Sequence, residues 1–207
     1  RLAEYFPSVH DMKVGVFGTN VDAKVESAKP LYIQDLMRHT SGLTYGGRGN
    51  SPVHKLYPGG SAIAAAEYDG PAFLAKLATL PLLYPPGTVW DYGFSIDVLG
   101  LVIEKQTGQP LGRYLKTAVW DKVGMPETTF QLPAEKRKRL ARPLPVDPIS
   151  GKTQRIASLD QTMKFDSGGA GAYSTGGEYL RLGQNDPDGG NRDAQRVRQH
   201  KRGGMRT

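Results

Sequence analysis

The run Leu83-Tyr84-Pro85-Pro86-Gly87-Thr88-Val89-Trp90-Asp91-Tyr92-Gly93-Phe94-Ser95 limits what this chain can fold into more than any other stretch. Proline cannot continue an incoming helix and glycine accepts positive φ, so the chain must break at Pro85–Gly87. Beyond the break, Ser95 is suited to an N-cap and Asp97 to the positive end of a helix. Val98, Leu99, Val102 and Ile103 then recur at helical spacing and predict a buried stripe over about 95–107. Trp90 and Tyr92 are therefore carried on a short loop between two anchored elements. On pattern alone this pair reads either as aromatic packing at a helix start or as the presentation of one phenol at a fixed point.

Around this centre the periodicity predicts further helices at about 31–38, 71–80, 110–120 and 177–182. Pro30 starts the first, and Ser41-Gly42 stop it. Phe73, Leu74, Leu77 and Leu80 form the apolar face of the second. Thr107-Gly108-Gln109-Pro110 is a helix stop followed by a helix start. Residues 44–62 read as a long Gly- and Pro-rich loop. Residues 128–165 read as extended segments and loops, because Pro133, Pro143, Pro145 and Pro148 oppose a helix. With 26 glycines and 15 prolines in 207 residues and an apolar fraction of 38%, a loop-rich architecture is expected.

The net charge of +7 raises nucleic acid as a partner, and its distribution argues against one. The excess comes from Glu135–Arg142, with five basic residues to one acidic, and from Asp188–Thr207, with six to two. Neither run interleaves aromatics that stack on bases, so both read as solvated surface. No run of about 18 apolar residues is present, so no membrane span is expected. With no cysteine, neither a disulfide frame nor a thiol nucleophile exists, and cytoplasm and periplasm fit equally. His10, His39, His54 and His200 lack zinc-site spacing, so no metal is expected. His39 reads as a helix-end cap. Gly168-Gly169-Ala170-Gly171 lacks the Lys-Ser/Thr ending of a phosphate loop, and close backbone approach explains its glycines better. Asp160, Asp166 and Glu178 show no carboxylate-pair spacing.

Taken in order, several blocks resemble one family. They are Leu36-Met37-Arg38-His39-Thr40-Ser41-Gly42-Leu43, the Trp90-x-Tyr92 block running to Asp97-Val98-Leu99-Gly100, Trp120-Asp121-Lys122-Val123-Gly124-Met125-Pro126, and Gly168–Thr175. Their order and spacing resemble the serine β-lactamase-related hydrolases: class C β-lactamases, D-alanyl-D-alanine peptidases and family VIII carboxylesterases. The resemblance covers roughly residues 1–182. It implies an α+β, β-lactamase/transpeptidase-like fold, represented mainly by its helical subdomain with an incomplete α/β sheet. Residues 183–207 are expected to be a basic, disordered or aberrant tail, since Val197 is its only aliphatic before Met205.

The resemblance also implies a chemistry. In the family a serine in a Ser-x-x-Lys turn attacks a carbonyl, and a lysine and a tyrosine move its proton. Tyr92 stands at the tyrosine's place and is the catalytic residue carried over. No Ser-x-x-Lys occurs, and Ser27-Ala28-Lys29 and Ser150-Gly151-Lys152 have the wrong spacing. The later Lys-Thr-Gly strand is also missing, Lys116-Thr117-Ala118 falling in a helix. The expectation is a piece cut at both ends, inactive by itself. Where lactamases carry an asparagine two residues after the tyrosine, this chain has Phe94, read as a substrate-binding apolar wall. The implied reaction is hydrolysis of a short-chain ester through an acyl-serine, with no cofactor. A β-lactam or D,D-peptide substrate, and a non-catalytic remnant, are the alternatives. A helical subdomain without its sheet leaves apolar faces uncovered, and self-association is expected.

Overall fold

A computed structural model describes residues 1–15, 24–26, 29–154 and 162–184. Among the described residues six α-helices carry the fold: α1 (Ile33–Arg38), α2 (Ser61–Glu67), α3 (Gly70–Ala78), α4 (Ser95–Thr107), α5 (Leu111–Leu115) and α6 (Gly176–Gln184). The two strands, β1 (Lys13–Gly15) and β2 (Lys24–Glu26), pair antiparallel with Val14 opposite Val25. Leu82 extends this edge through an isolated parallel bridge to Val14. The α+β class holds, with the sheet reduced to this fragment among the described residues.

Most helices lie where periodicity places them, and their ends show why. The amide of Tyr32 donates to Asp35 Oδ2 at 3.0 Å, so α1 starts at Ile33, two residues later than expected. Asp69 caps α3 by accepting from the amide of Ala72 at 2.8 Å, with Pro71 in the first turn. Gly108, at φ +67°, ends α4 in the left-handed region. The predicted 110–120 helix divides into α5 and a π-helical turn over Lys116–Trp120.

Several expectations are corrected. The 44–62 loop holds 3₁₀ turns at Gly46–Arg48 and His54–Leu56, and α2 begins at its end. The Ala62–Ala66 run has the propensity for that helix, and Ala64 and Ala65 are buried. A 3₁₀ turn, Ala134–Arg139, fits between Pro133 and Pro143, because neither proline lies inside it to remove one of its i→i+3 donors. Ser95 is not an N-cap: Phe94 occupies that position, and the Ser95 hydroxyl bonds Ser41 Oγ at 2.7 Å instead. The buried face of α4 is Phe94, Asp97, Val98, Leu101 and Val102, whereas Leu99 and Ile103 are only half-buried. That face follows i, i+3, i+4, i+7, i+8, one residue's rotation from the expected stripe. α6 covers the expected 177–182 helix and runs one residue further at its start and two at its end. The basic tail beyond it lies outside the described residues.

The main core gathers Leu36, Leu43, Phe73, Leu77, Leu82 and Leu83 around Phe94 and Val98. A smaller cluster of Leu111, Trp120, Met125 and Phe130 sits beneath α5. No helix among the described residues is long and apolar enough to cross a membrane.

Candidate active site

Two motifs far apart in sequence lie side by side. Leaving α1 at His39, the chain runs through Thr40-Ser41-Gly42-Leu43 alongside the loop that leads to α4. The amide of Leu83 donates to Gly42 O at 2.7 Å, that of Gly87 to Thr40 O at 2.8 Å, and that of Asp91 to His39 O at 2.9 Å. Close to α4 the two strips touch so tightly that only glycine fits. A Cβ on Gly93 would lie 2.2 Å from Leu43 O and 2.5 Å from Thr44 Cα. The Ser41–Ser95 hydrogen bond fastens the far end. Tyr92 is thus carried on a loop bonded along its length to a second segment.

The Tyr92 ring remains 40% exposed and is surrounded by other rings. The His39 imidazole lies against it, tilted by 32°, at 4.8 Å between centroids. Tyr45 meets it edge-on at 5.6 Å, and Trp90, itself 61% exposed, lies 6.5 Å away. The guanidinium of Arg48, in the 3₁₀ turn after Tyr45, sits 5.8 Å from the ring centroid and adds a cation to the surface beside the phenol.

Phe94 does not line a cleft. It is 0% exposed and packs against Tyr45 (4.6 Å), Phe73 (5.1 Å) and Tyr57 (6.3 Å). The cause is helical geometry. As the first residue of the α4 face that points inward, it is directed into the core, while Tyr92, two residues earlier in the loop, is directed out.

Behind these rings lies a polar chain that the sequence did not disclose. Asp97, fully buried on α4, accepts from Ser61 Oγ of α2 at 2.7 Å and from Ser167 Oγ at 2.5 Å. The amide of Gly169 adds a longer bond of 3.4 Å. The Ser61 hydroxyl has one proton and gives it to Asp97, so the 2.7 Å bond between Tyr45 and Ser61 must be donated by the phenol. Burial raises the Asp97 carboxyl above the usual aspartate range, and these donors partly offset it. Burial likewise pushes the Tyr45 phenol up to about 12. Tyr45 therefore keeps its proton and is no base near neutrality. A Cβ on Gly169 would lie 2.5 Å from Asp97 Oδ2, which accounts for glycine in the 168–171 run by close approach.

His39 is the C-cap of α1 in the left-handed region at φ 55°, as its place before Thr-Ser-Gly suggests, although its ring takes no part in the capping. Asp166 accepts from the amide of Gly112, and the buried Glu178 accepts from the amide of Glu127 and from Thr128 Oγ1. Asp160 lies outside the described residues. Among those residues no group of three or more His, Asp or Glu is placed to hold a metal ion. Tyr45 and Arg48 went unrecognised because residues 44–62 show no period. Asp97 was read only as a charge at the helix start, because the expected stripe was rotated by one residue and left it off the buried face.

The family model for Beta-lactamase matches residues 1–207. Protein Rv1367c of Mycobacterium tuberculosis (strain ATCC 25618 / H37Rv) is 31% identical over 168 residues, which cover 78% of this chain and 40% of that protein. Esterase EstB of Burkholderia gladioli is 30% identical, covering 75% of this chain and 44% of its own. A putative D-alanyl-D-alanine carboxypeptidase of Escherichia coli (strain K12) is also 30% identical, covering 63% and 27%. Among solved structures, a variant of simvastatin synthase from Aspergillus terreus superposes with a TM-score of 0.66 at 22% identity, over 87% of this chain and 43% of that one. The chain spans less than half the length of these relatives. By this match along the sequence, the chain belongs to the beta-lactamase family.

Proposed function

We propose that this chain carries the tyrosine side of a serine-hydrolase site that acts on short-chain esters through an acyl-serine intermediate. Tyr92 is the general base, and the serine and its lysine are supplied by sequence outside these 207 residues. The observation that carries the reading is the placement of Tyr92. It is a partly exposed phenol on a loop fastened to the His39–Leu43 strip, beside the Arg48 guanidinium. In the first half-reaction a serine Oγ–C bond forms as its proton passes to the base. The ester C–O bond then breaks, and the leaving alkoxide takes the proton. Water hydrolyses the acyl-serine and restores the serine.

Preference for an ester over a β-lactam is supported by the likeness to Esterase EstB. Phe94, enclosed in the core, takes no part in that preference.

Fluorophosphonate labelling of the native gene product, with intact mass on the same sample, tests the reading. A labelled species heavier than 22.5 kDa is expected, with ester hydrolysis that Tyr92→Phe lowers by about 100-fold or more. An unlabelled species of this mass would overturn the assignment. So would a Tyr92→Phe enzyme within a few-fold of wild type. Acylation by a fluorescent penicillin in place of ester turnover would transfer the site to the D,D-peptidase reading.

A further inference from the structure

We infer that the imidazole of His39 is a positioning residue for Tyr92, holding the phenol ring in place by packing against it. The inference rests on Tyr92 being the functional group proposed above. It begins from a local conflict. His39 is the only non-glycine residue with positive φ among the described residues, at φ 55° and ψ 35°. The end of a helix commonly takes this conformation, but with glycine or asparagine, because a Cβ is crowded there. A backbone held in a sparsely populated region directs attention to what its side chain does.

Ordinary explanations for histidine at this point do not apply. The backbone role belongs to any residue: its amide donates to Leu36 O at 3.3 Å, and its carbonyl accepts from Asp91 at 2.9 Å. The ring forms no hydrogen bond among the described residues, and Nδ1 is buried without a partner. What only the side chain supplies is a pair of tilted ring contacts, with Tyr92 at 4.8 Å and with Trp90 at 6.2 Å. Burial lowers the pKa of the imidazole below the ordinary histidine value, with Asp91 and Asp97 opposing it, so the ring that meets Tyr92 is the neutral one near pH 7. Tyr45 supplies the second contact. It is immobilised by its bond to Ser61 and by Phe94 at its edge. The Tyr92 ring thus has the imidazole against it on one side and the anchored Tyr45 edge-on.

His39→Gly separates the two roles, because glycine takes this φ without strain and the Asp91 amide keeps its acceptor. In this chain the variant is expected to unfold at or above the wild-type temperature. Its Tyr92 ring resonances, assigned by ¹H–¹³C NMR with Tyr92→Phe as reference, should move toward random-coil positions. In the intact gene product, kcat on a short-chain ester should fall by about tenfold or more with KM within about twofold. His39→Asn, which tolerates the left-handed region, should reproduce both results and serves if the glycine variant does not fold. Unmoved Tyr92 resonances in a folded variant overturn the inference. So does a lowered midpoint in both variants with every aromatic resonance displaced alike, since that is a purely structural role. An intact gene product that hydrolyses no ester would sink the esterase reading alone, and the Tyr92 resonances would still decide the role of His39.

Discussion

Tyr92 and Phe94 stand two residues apart and meet opposite environments, one 40% exposed at the rim and the other wholly enclosed. The family resemblance made both look like site residues, Tyr92 as the base and Phe94 as an apolar wall. The difference arises at Gly93, where contact with Leu43 and Thr44 turns the backbone from loop to helix. Three aromatic neighbours then make Phe94 a core residue rather than a specificity residue. Phe94→Ala is expected to lower the free energy of unfolding by about 3–5 kcal/mol, the range for a large buried aromatic. Urea denaturation monitored by Trp90 and Trp120 fluorescence checks this. A loss below about 1 kcal/mol would return Phe94 to the pocket.

Among the elements, Asp97 joins three of them: α4 that carries it, α2 through Ser61, and the 167–169 turn through Ser167 and Gly169. A buried carboxylate with hydroxyl donors and no cation is a poor choice for stability at neutral pH. Its direction of shift fixes a pH dependence. The folded state holds the Asp97 proton more tightly than the unfolded chain does, so its contribution to stability declines as pH rises from about 4 through the raised folded value. Asp97→Asn removes that decline. Urea unfolding at pH 4 to 8 is expected to show wild type losing ground to the variant as pH increases, and parallel curves would contradict the assignment. Legibility at this scale depended on periodicity. α3 and α4 were readable because their apolar residues recur with the helical repeat. The 3₁₀ turn bearing Arg48 was not, since three residues are too few to establish a period.

Across the whole molecule, apolar side chains remain uncovered on several faces: Met37 of α1, Ile63 of α2, and Tyr179 and Leu180 of α6, each more than half exposed. Surfaces of this kind drive association. This chain is expected to sediment as a mixture of monomer and larger species, and Leu180→Glu to shift the distribution toward monomer. A single monomeric boundary at high protein concentration would count against exposed apolar faces as sticky surfaces. The sequence by itself determined the family, the helices with a clear apolar repeat, and Tyr92 as the phenol to watch. Each of these is written in contiguous residues whose spacing reflects local backbone geometry. Only the tertiary structure decided that His-Thr-Ser-Gly-Leu lies against the Trp-x-Tyr loop, that His39 and Tyr45 contact Tyr92, that Phe94 is core, and that Asp97 reaches Ser61 and Ser167. Those facts join residues 36 to 70 positions apart, or depend on which way a helix face is rotated. Such contacts are set by burial and hydrogen-bond satisfaction over the folded chain, and no local pattern encodes them.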